Sequence, residues 1–188
     1  MFTVPNLISL VRLACVPLFV WLLFGRDEPY AAAWLLGAIG ATDWVDGYVA
    51  RHFNQVSTLG KVLDPVADRI MLGVAIVSIL LYEAAPWWVG VSVLAREGLV
   101  SIAVLVLGAM GARRIDVSWV GKAGTFLLMW AFPFFLASAA DYISWADTAR
   151  VIAWIFAIPG MVLSWWAALM YVPVAKRALA EGRRGAAT

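Results

Sequence analysis

The sequence predicts an all-α integral membrane protein with six transmembrane helices. Hydrophobic residues make up 64% of its 188 residues and charged residues 14%, and the mean hydropathy is +0.88. Soluble domains average about half apolar and about a quarter charged residues, so a soluble globule of this length could not bury so much apolar surface. Crossing a bilayer takes about 20 apolar residues, and six segments reach that length. They are 5–25, 30–51, 58–82, 86–110, 117–140 and 149–174.

The same composition excludes several functional classes. It is incompatible with a disordered chain, a secreted disulfide scaffold or a soluble nucleic-acid binder, and a net charge of +2 gives no reason to expect a nucleic-acid partner. The single cysteine, Cys15, cannot form an intramolecular disulfide and is interpreted as a small buried apolar residue. The first segment lacks the basic start and the cleavage site of a signal peptide, so we expect it to be retained as a span.

Basic residues in the connections predict the orientation. Lys and Arg flank the connections between segments two and three and between four and five and follow segment six, whereas acidic residues dominate the opposite connections. The positive-inside rule therefore places both termini and these two connections in the cytoplasm. We expect residues 1–174 to form one polytopic membrane domain, followed by a basic cytoplasmic tail at 175–188.

A polar stripe interrupts the first segment. Asn6, Ser9 and Arg12 recur every three residues, which places them on one face of a helix. Two interpretations are open at this point. The first dozen residues form a short interfacial helix, or the stripe faces a polar cavity inside the bundle.

Four aspartates interrupt the second and third segments near their cytoplasmic ends. Ionisable side chains within a membrane are costly and usually mark function. Asp43 and Asp46 are three residues apart and Asp64 and Asp68 are four apart, so each pair shares a helical face. A short connection makes the two segments antiparallel neighbours, with both pairs at similar depth. Four converging carboxylates repel one another, and one or two hard divalent cations such as Mg²⁺ or Mn²⁺ would relieve the repulsion.

Small residues and one arginine accompany these aspartates. Gly47, Ala50 and Gly60 would leave room for a ligand to approach the helices, although close helix packing explains glycine and alanine equally well. Arg51 would neutralise an anionic ligand held by the cations, or would serve as an anchor on the cytoplasmic side.

Taken together, these residues form a longer pattern that resembles the complete signature of the CDP-alcohol phosphotransferases. Eight positions are specified within 26 residues, and at roughly one in twenty per position such a match arises by chance on the order of once in 10¹⁰ starts. The resemblance implies an enzyme that transfers a substituted phosphoryl group from a CDP-linked donor to an alcohol and releases CMP. The pattern reads Asp43-x2-Asp46-Gly47-x2-Ala50-Arg51-x8-Gly60-x3-Asp64-x3-Asp68.

The resemblance also implies roles for individual residues. Two divalent cations, Mg²⁺ or Mn²⁺, would be held by Asp43, Asp46, Asp64 and Asp68. Asp68 would in addition serve as the general base. Contacts to the CDP-linked donor, CDP-diacylglycerol, would come from Gly47, Ala50, Arg51, Gly60 and Asn6, although Asn6 is explained equally well as a helix cap. The resemblance further implies a homodimer in a bacterial cytoplasmic membrane, in contact with membrane lipid.

Two further segments predict the acceptor alcohol. LAREGLVS (94–101) and VSWVGKAGTF (117–126) resemble the acceptor half of bacterial phosphatidylglycerophosphate synthases and of cardiolipin synthases of this family. The resemblance makes Arg96 and Lys122 contacts of the acceptor phosphate, with Glu97 orienting Arg96. A structural ion pair and a simple loop charge are the alternatives for these residues.

One departure from the resemblance bears on the acceptor. Phosphatidylglycerophosphate synthases commonly carry a second arginine after the Arg-Glu pair, where this chain has the uncharged SIAVLVLG (101–108). A less basic site suits phosphatidylglycerol, which would give cardiolipin, better than dianionic glycerol 3-phosphate, which is the alternative acceptor. A transporter with an acidic ion site is a remote alternative, because transporters place polar groups near the bilayer midplane, between repeats.

Overall fold

The computed structural model describes residues 4–53, 60–110 and 119–185, and the side chains of 10–42, 69–110 and 119–170. Within these ranges the chain forms helices and contains no strand. The helices are α1 (Val4–Val20), α2 (Pro29–Phe53), α3 (Gly60–Leu81), α4 (Trp87–Ala109), α5 (Trp119–Ser138) and α6 (Ala146–Gly185). Helix α1 passes directly into a π-helical turn at Trp21–Gly25.

Each predicted segment overlaps one of these helices, so the all-α prediction is confirmed for the described residues. Among the described side chains, three helical stretches are long and apolar enough to cross a membrane: α4, α5 and the part of α6 from Ala146 to Met170. The described parts of α1 and α3 contribute two shorter apolar stretches, Leu10–Gly25 and Arg69–Leu81. Crossing of the membrane by α1, α2 and α3 therefore stays a prediction.

Helix α6 extends beyond the predicted end of the sixth segment. Its backbone is helical to Gly185, through most of the segment predicted as a cytoplasmic tail. The sequence there, KRALAEGRR, consists mostly of Ala, Leu, Glu, Lys and Arg, which have high helix propensity. The division into a membrane domain and a tail at residue 175 stays a prediction.

The N-terminal segment forms one continuous helix rather than a short separate one. Helix α1 begins at Val4 and runs to Val20 without a break. Arg12 is only 8% exposed, so this member of the polar stripe faces the interior of the bundle. The side chains of Asn6 and Ser9 lie outside the described ones. The burial of Arg12 favours the interpretation in which the stripe points into the bundle.

The described apolar core lies near one end of the bundle. Its fully buried side chains come from the end of α1, the start of α2, the end of α3, the start of α4, the end of α5 and the start of α6. Phe135 of α5 packs edge-to-face against Trp154 of α6, with ring centroids 5.4 Å apart. The core thus holds together the end of the bundle that lies away from the aspartates of α2 and α3.

Helices α5 and α6 form the most extensive pairing, and two glycines bring their backbones together. A Cβ atom on Gly124 would lie 2.6 Å from Ser164 Oγ and 2.8 Å from the Ser164 backbone nitrogen. A Cβ atom on Gly160 would lie 3.1 Å from the Leu128 backbone nitrogen. Small residues spaced in this way allow the close helix contacts that are common in membranes.

A hydrogen bond joins the connection between α1 and α2 to the connection between α3 and α4. Tyr82, just after α3, donates its hydroxyl proton to Asp27 Oδ1 at 2.6 Å. Partial burial, reinforced by this hydrogen bond and by the Asp27 charge, raises the pKa of Tyr82 from 10.0 to about 12. An unfolded tyrosine loses its proton at the lower pH, so the stability linked to Tyr82 is fully present below about pH 10 and is lost as the pH rises to about 12.

We therefore expect the melting temperature in detergent to fall between pH 10 and pH 11.5, and Tyr82→Phe to reduce that fall because it removes the titrating group. Thermal unfolding of the two proteins across this pH range measures the difference. Tyr30→Phe is the matched control, since Tyr30 lies at the same end of the bundle, in the first turn of α2. A fall of the same size in Tyr82→Phe and the parent protein would contradict the prediction.

Candidate active site

The four aspartates lie on regular helical backbone on either side of one connection. Asp43 and Asp46 belong to α2, which continues to Phe53, and Asp64 and Asp68 belong to α3, which begins at Gly60. The helical spacing within each pair is thus confirmed, and each pair shares a helical face. At 1.5 Å per residue, Asp46 and Asp64 both lie within about 11 Å of the helix ends that this connection joins. Their side chains lie outside the described ones, so the convergence of all four carboxylates stays a prediction.

The chemistry of this set of carboxylates fits a divalent cation. Two helical faces, each with two carboxylates, offer only oxygen ligands, which Mg²⁺ and Mn²⁺ prefer. Among the side chains that the structure describes, no group of three or more His, Cys, Asp and Glu residues could hold a metal ion. The assignment of the metal ions to the aspartates of α2 and α3 stays a prediction.

The predicted donor contacts accompany these aspartates on the same helices. All of them lie on helical backbone, with Asn6 on α1, Gly60 at the start of α3, and the others on α2. Their side chains, like those of the aspartates, lie outside the described ones, and their contacts to a nucleotide stay predictions. The set consists of Asn6, Gly47, Ala50, Arg51 and Gly60.

The predicted pairing of Arg96 with Glu97 is observed in α4. The Arg96 side chain is buried, with only 6% of the residue exposed, and its Nη1 donates to Glu97 Oε1. Its Nε donates to the backbone carbonyl oxygen of Ser164 in α6 at 3.3 Å. Arg96 is thus held by a carboxylate on its own helix and by a carbonyl group on the neighbouring helix, which limits the positions its guanidinium can take.

A second hydrogen bond joins α4 to α6 one turn earlier. Trp165 Nε1 donates to Ser92 Oγ at 2.8 Å, and Ser92 precedes Arg96 by four residues. With the Arg96–Ser164 contact, this bond sets the position of α6 along α4. Trp165 is therefore a positioning residue in the site region, although the sequence offered no reason to separate it from the other tryptophans.

Ser164 connects the two segments that the sequence analysis assigned to the acceptor. Its carbonyl oxygen accepts from Arg96 of α4, and its side chain and backbone nitrogen lie against Gly124 of α5. Lys122, in the first turn of α5 and exposed, lies two residues from Gly124. The structure thus brings Arg96 and the α5 turn that carries Lys122 to the same part of α6.

Sequence reasoning missed Ser164 as well as Trp165. Ser164 is 2% exposed, and its Oγ has no hydrogen-bond partner within the described part of the chain. The available signal was the spacing Gly160-x3-Ser164, a pair of small residues one turn apart in an apolar helix.

Sequence reasoning also missed Arg69. This residue directly follows Asp68 in α3, and its Nη1 donates to Ser101 Oγ of α4 at 2.6 Å. Ser101 opens the uncharged segment 101–108 that distinguishes this chain from the pattern expected of a more basic acceptor site. A cation from α3 therefore lies against the part of α4 that carries none of its own.

The arrangement provides two kinds of chemistry. Helices α2 and α3 carry carboxylates, which can bind a divalent cation and accept a proton. Helices α3, α4 and α5 carry the cations Arg69, Arg96 and Lys122, and guanidinium and ammonium groups bind phosphate oxygens. Carboxylates and cations of these kinds are the groups that transfer of a phosphoryl group to an anionic acceptor would use.

Comparison with known proteins matches most of the chain to one enzyme family. The sequence model of the CDP-alcohol phosphatidyltransferase family matches residues 2–172. A cardiolipin synthase (CMP-forming) of Streptomyces coelicolor is 41% identical over 182 residues, covering 93% of this chain and 83% of that protein. The CDP-diacylglycerol--glycerol-3-phosphate 3-phosphatidyltransferase of Escherichia coli K12 is 31% identical over 186 residues, covering 96% of this chain and 98% of that protein.

These matches extend well beyond the signature in α2 and α3. The family match includes α1 and continues through α4, α5 and most of the apolar part of α6, so it also covers the Arg96–Ser164 region. Members of the family generally use divalent metal ions, in agreement with the carboxylate chemistry of α2 and α3. The chain belongs to the CDP-alcohol phosphatidyltransferase family and is a transmembrane phosphatidyltransferase of phospholipid biosynthesis.

Proposed function

We propose that the protein transfers the phosphatidyl group of CDP-diacylglycerol to phosphatidylglycerol, forming cardiolipin and releasing CMP. The observation that carries the choice of acceptor is the character of α4 after Ser101. Ile102 and Leu105 are 61% and 70% exposed, and the whole segment 101–108 is uncharged. Apolar side chains exposed beside the acceptor region suit a substrate with two acyl chains. The cardiolipin synthase of Streptomyces coelicolor, at 41% identity, supports the same choice.

The aspartates would carry the chemistry at phosphorus. Asp43, Asp46, Asp64 and Asp68 would hold two divalent cations, which when bound neutralise the donor diphosphate and the departing CMP. Asp68 would accept the proton of the attacking hydroxyl group. A bond forms between that hydroxyl oxygen and the phosphorus of the phosphatidyl group, the bond from this phosphorus to the diphosphate bridging oxygen breaks, and CMP leaves with the electron pair.

The remaining helices would bind and orient the two lipids. Gly47, Ala50, Arg51, Gly60 and Asn6 would contact the CDP moiety of the donor. On the acceptor side, Arg96 and Lys122 would bind the acceptor phosphate, and Glu97 would orient Arg96. The contacts of Arg96 with Glu97 and with the Ser164 carbonyl support this assignment, because a fixed guanidinium loses little conformational freedom when it binds an anion.

In the proposed arrangement, six helices cross a bacterial cytoplasmic membrane and the aspartates lie on its cytoplasmic side. The distribution of basic residues supports this orientation, because Lys and Arg flank the connections on the side of the aspartates. A soluble CDP headgroup would then be reached from the cytoplasm while the acyl chains stay in the membrane. The homodimer that the family resemblance implies stays a prediction.

Synthesis of phosphatidylglycerophosphate from glycerol 3-phosphate is the second candidate function. The observation in its favour is the similarity to the Escherichia coli relative, which is 31% identical to this chain. The match covers 98% of the relative's length, so the two chains correspond nearly end to end. A small phosphomonoester would use the same aspartates and would need more of the available positive charge.

Acceptor-dependent release of CMP tests the choice between these functions. Purified protein in mixed micelles is given CDP-diacylglycerol and Mg²⁺ or Mn²⁺, with phosphatidylglycerol in one reaction and glycerol 3-phosphate in the other. We expect CMP release and cardiolipin formation with phosphatidylglycerol, and no release when a chelator replaces the metal ion. Release with glycerol 3-phosphate alone would contradict the proposal and would establish the second candidate.

A further inference from the structure

We infer that Arg69 is a substrate-binding residue whose guanidinium binds the phosphate group of the acceptor. This inference rests on the proposed function, because it concerns the acceptor side of the same site. It starts from an unexpected juxtaposition: a cation on α3, next to the proposed general base, lies against the segment of α4 that lacks a cation. The ligand chemistry is a phosphate ester attached to an alcohol, either the diester of phosphatidylglycerol or the monoester of glycerol 3-phosphate.

The hydrogen bond between Arg69 and Ser101 fixes the location. Arg69 Nη1 donates to Ser101 Oγ at 2.6 Å. Ser101 follows Glu97 by four residues, so the two side chains share a face of α4, and Glu97 holds Arg96. The guanidinium of Arg69 is thus placed one helical turn from the Arg96–Glu97 pair. Arg69 of α3 and Arg96 of α4 therefore lie at neighbouring levels along α4, so two guanidinium groups serve the proposed acceptor side of the site.

The guanidinium retains capacity for a phosphate ligand after it has bound Ser101. An arginine side chain has five N–H donors in a planar fork, and Ser101 accepts from one nitrogen. The fork matches the spacing of two phosphate oxygens, and such charge-assisted pairs are stronger than neutral hydrogen bonds. Ser101 would therefore position the guanidinium without occupying its binding edge.

The surroundings of Arg69 provide an independent reason for an anionic lipid as the ligand. An ionisable side chain on a helix predicted to cross a membrane is costly and usually marks a functional site. Arg69 is exposed, and apolar Leu99 and Ile102 flank its partner Ser101 and are 58% and 61% exposed. A cation among exposed apolar side chains is suited to an anionic lipid, whose phosphate binds the arginine while its acyl chains cover the apolar surface.

The position next to Asp68 gives the contact a role in the reaction. Arg69 and Asp68 are consecutive residues of α3, so a phosphate bound by Arg69 lies at nearly the same level along α3 as the proposed general base. In phosphatidylglycerol a short glycerol headgroup separates the phosphate from the free terminal hydroxyl group. Holding the phosphate would therefore place the attacking hydroxyl group within the region served by Asp68, and would reduce the orientational freedom that the reaction has to overcome.

Steady-state kinetics of Arg69→Gln tests the inference. The acceptor concentration is varied at saturating CDP-diacylglycerol, and the donor concentration is then varied at saturating acceptor. We expect Arg69→Gln to raise the KM for the acceptor about tenfold or more, the usual order for loss of a charge-assisted hydrogen bond, with the donor KM and kcat within about twofold of the parent values. Arg69→Lys should give an intermediate KM, and Ser101→Ala a smaller increase, because the guanidinium is retained but less well positioned.

Arg150→Gln is the matched control, since Arg150 is an exposed arginine in the first turns of α6, at the opposite end of the bundle, and its kinetics should not change. All variants are first compared by size-exclusion chromatography and melting temperature, and Arg69→Lys keeps the inference testable if Arg69→Gln does not fold. A lower kcat with an unchanged acceptor KM would overturn the inference in favour of a role in positioning Asp68. A change in the donor KM, or no change at all, would overturn it too.

The identity of the acceptor separates this inference from the proposed function. If the parent protein uses glycerol 3-phosphate, the cardiolipin proposal fails, and the same KM series is run with glycerol 3-phosphate. An increase in that KM in Arg69→Gln would still support binding of the acceptor phosphate by Arg69. An unchanged KM with the acceptor that the parent protein uses would overturn the inference whatever that acceptor is.

Discussion

Replacement of Asp68 by asparagine is expected to reduce CMP release at least about 100-fold, because general base catalysis contributes about 10²–10⁴-fold and an amide cannot take a proton from the acceptor hydroxyl group. Asparagine has nearly the same shape as aspartate, so α3 should stay folded. Asp43→Ala, Asp46→Ala and Asp64→Ala should each reduce turnover to near background, because each removes one of the proposed metal ligands. The measurement is initial-rate CMP release by purified variants at saturating donor, acceptor and metal ion.

Asp141→Asn is the control for this series. Asp141 is an exposed aspartate in the connection between α5 and α6. Its charge affects the pKa of Tyr82, which follows the last residue of α3. Asp141 therefore lies near the end of α3 that is away from Asp68. It should release CMP at the rate of the parent protein. Turnover near that of the parent protein in any one of the four aspartate variants would remove that aspartate from the proposed catalytic set. Retained chromatographic behaviour and melting temperature distinguish a loss of chemistry from a loss of fold.

Replacement of Gly124 by alanine is expected to have the largest effect on stability. The added Cβ atom would lie 2.6 Å from Ser164 Oγ and 2.8 Å from the Ser164 backbone nitrogen, and a helix backbone cannot move as a side chain can. Helices α5 and α6 would have to separate. Overpacking of this kind costs about 1–3 kcal/mol, so we expect the melting temperature in detergent to fall by roughly 5 °C. Because Ser164 also accepts from Arg96, activity should decrease as well.

Gly73→Ala is the matched control for Gly124→Ala. Gly73 lies within α3, and a Cβ atom there would have no heavy atom within 4 Å among the described residues. Alanine has a higher helix propensity than glycine, so this variant should melt at the same temperature as the parent protein or slightly above it. Equal melting temperatures for the Gly124→Ala and Gly73→Ala variants would show that α5 and α6 are not in the close contact described.

The positions of the helices could be predicted from the sequence with good accuracy. Each predicted segment overlaps one helix, and the predicted segment 86–110 differs from the observed Trp87–Ala109 by one residue at either end. The physical reason is local: a long apolar run in a membrane must satisfy its backbone hydrogen bonds within itself, and the α-helix does so. The pairing of Arg96 with Glu97 was predictable for the same reason, because the two residues are adjacent in the chain.

Contacts between helices were not predictable in this way. Nothing near Arg69 in the sequence points to Ser101, 32 residues later, and nothing near Arg96 points to Ser164, 68 residues later. Such contacts depend on how far each helix is rotated about its axis and shifted along its neighbour. The sequence of an apolar helix gives little information about its rotation or its shift. Small residues such as Gly124 and Gly160 are one such indication, but their packing role can be recognised only when the partner helix is known.

The sequence therefore determined the family, the reaction class and the candidate catalytic aspartates, because these depend on residue types at fixed spacing along one or two helices. The tertiary structure decided which helices meet around the acceptor region. It placed Ser164 between Arg96 and the α5 turn that carries Lys122, and it supplied Arg69 to the uncharged segment of α4. The physical reason for the division is that helix formation follows from local backbone hydrogen bonding, whereas the pairing of helices depends on side-chain packing between residues distant in the chain.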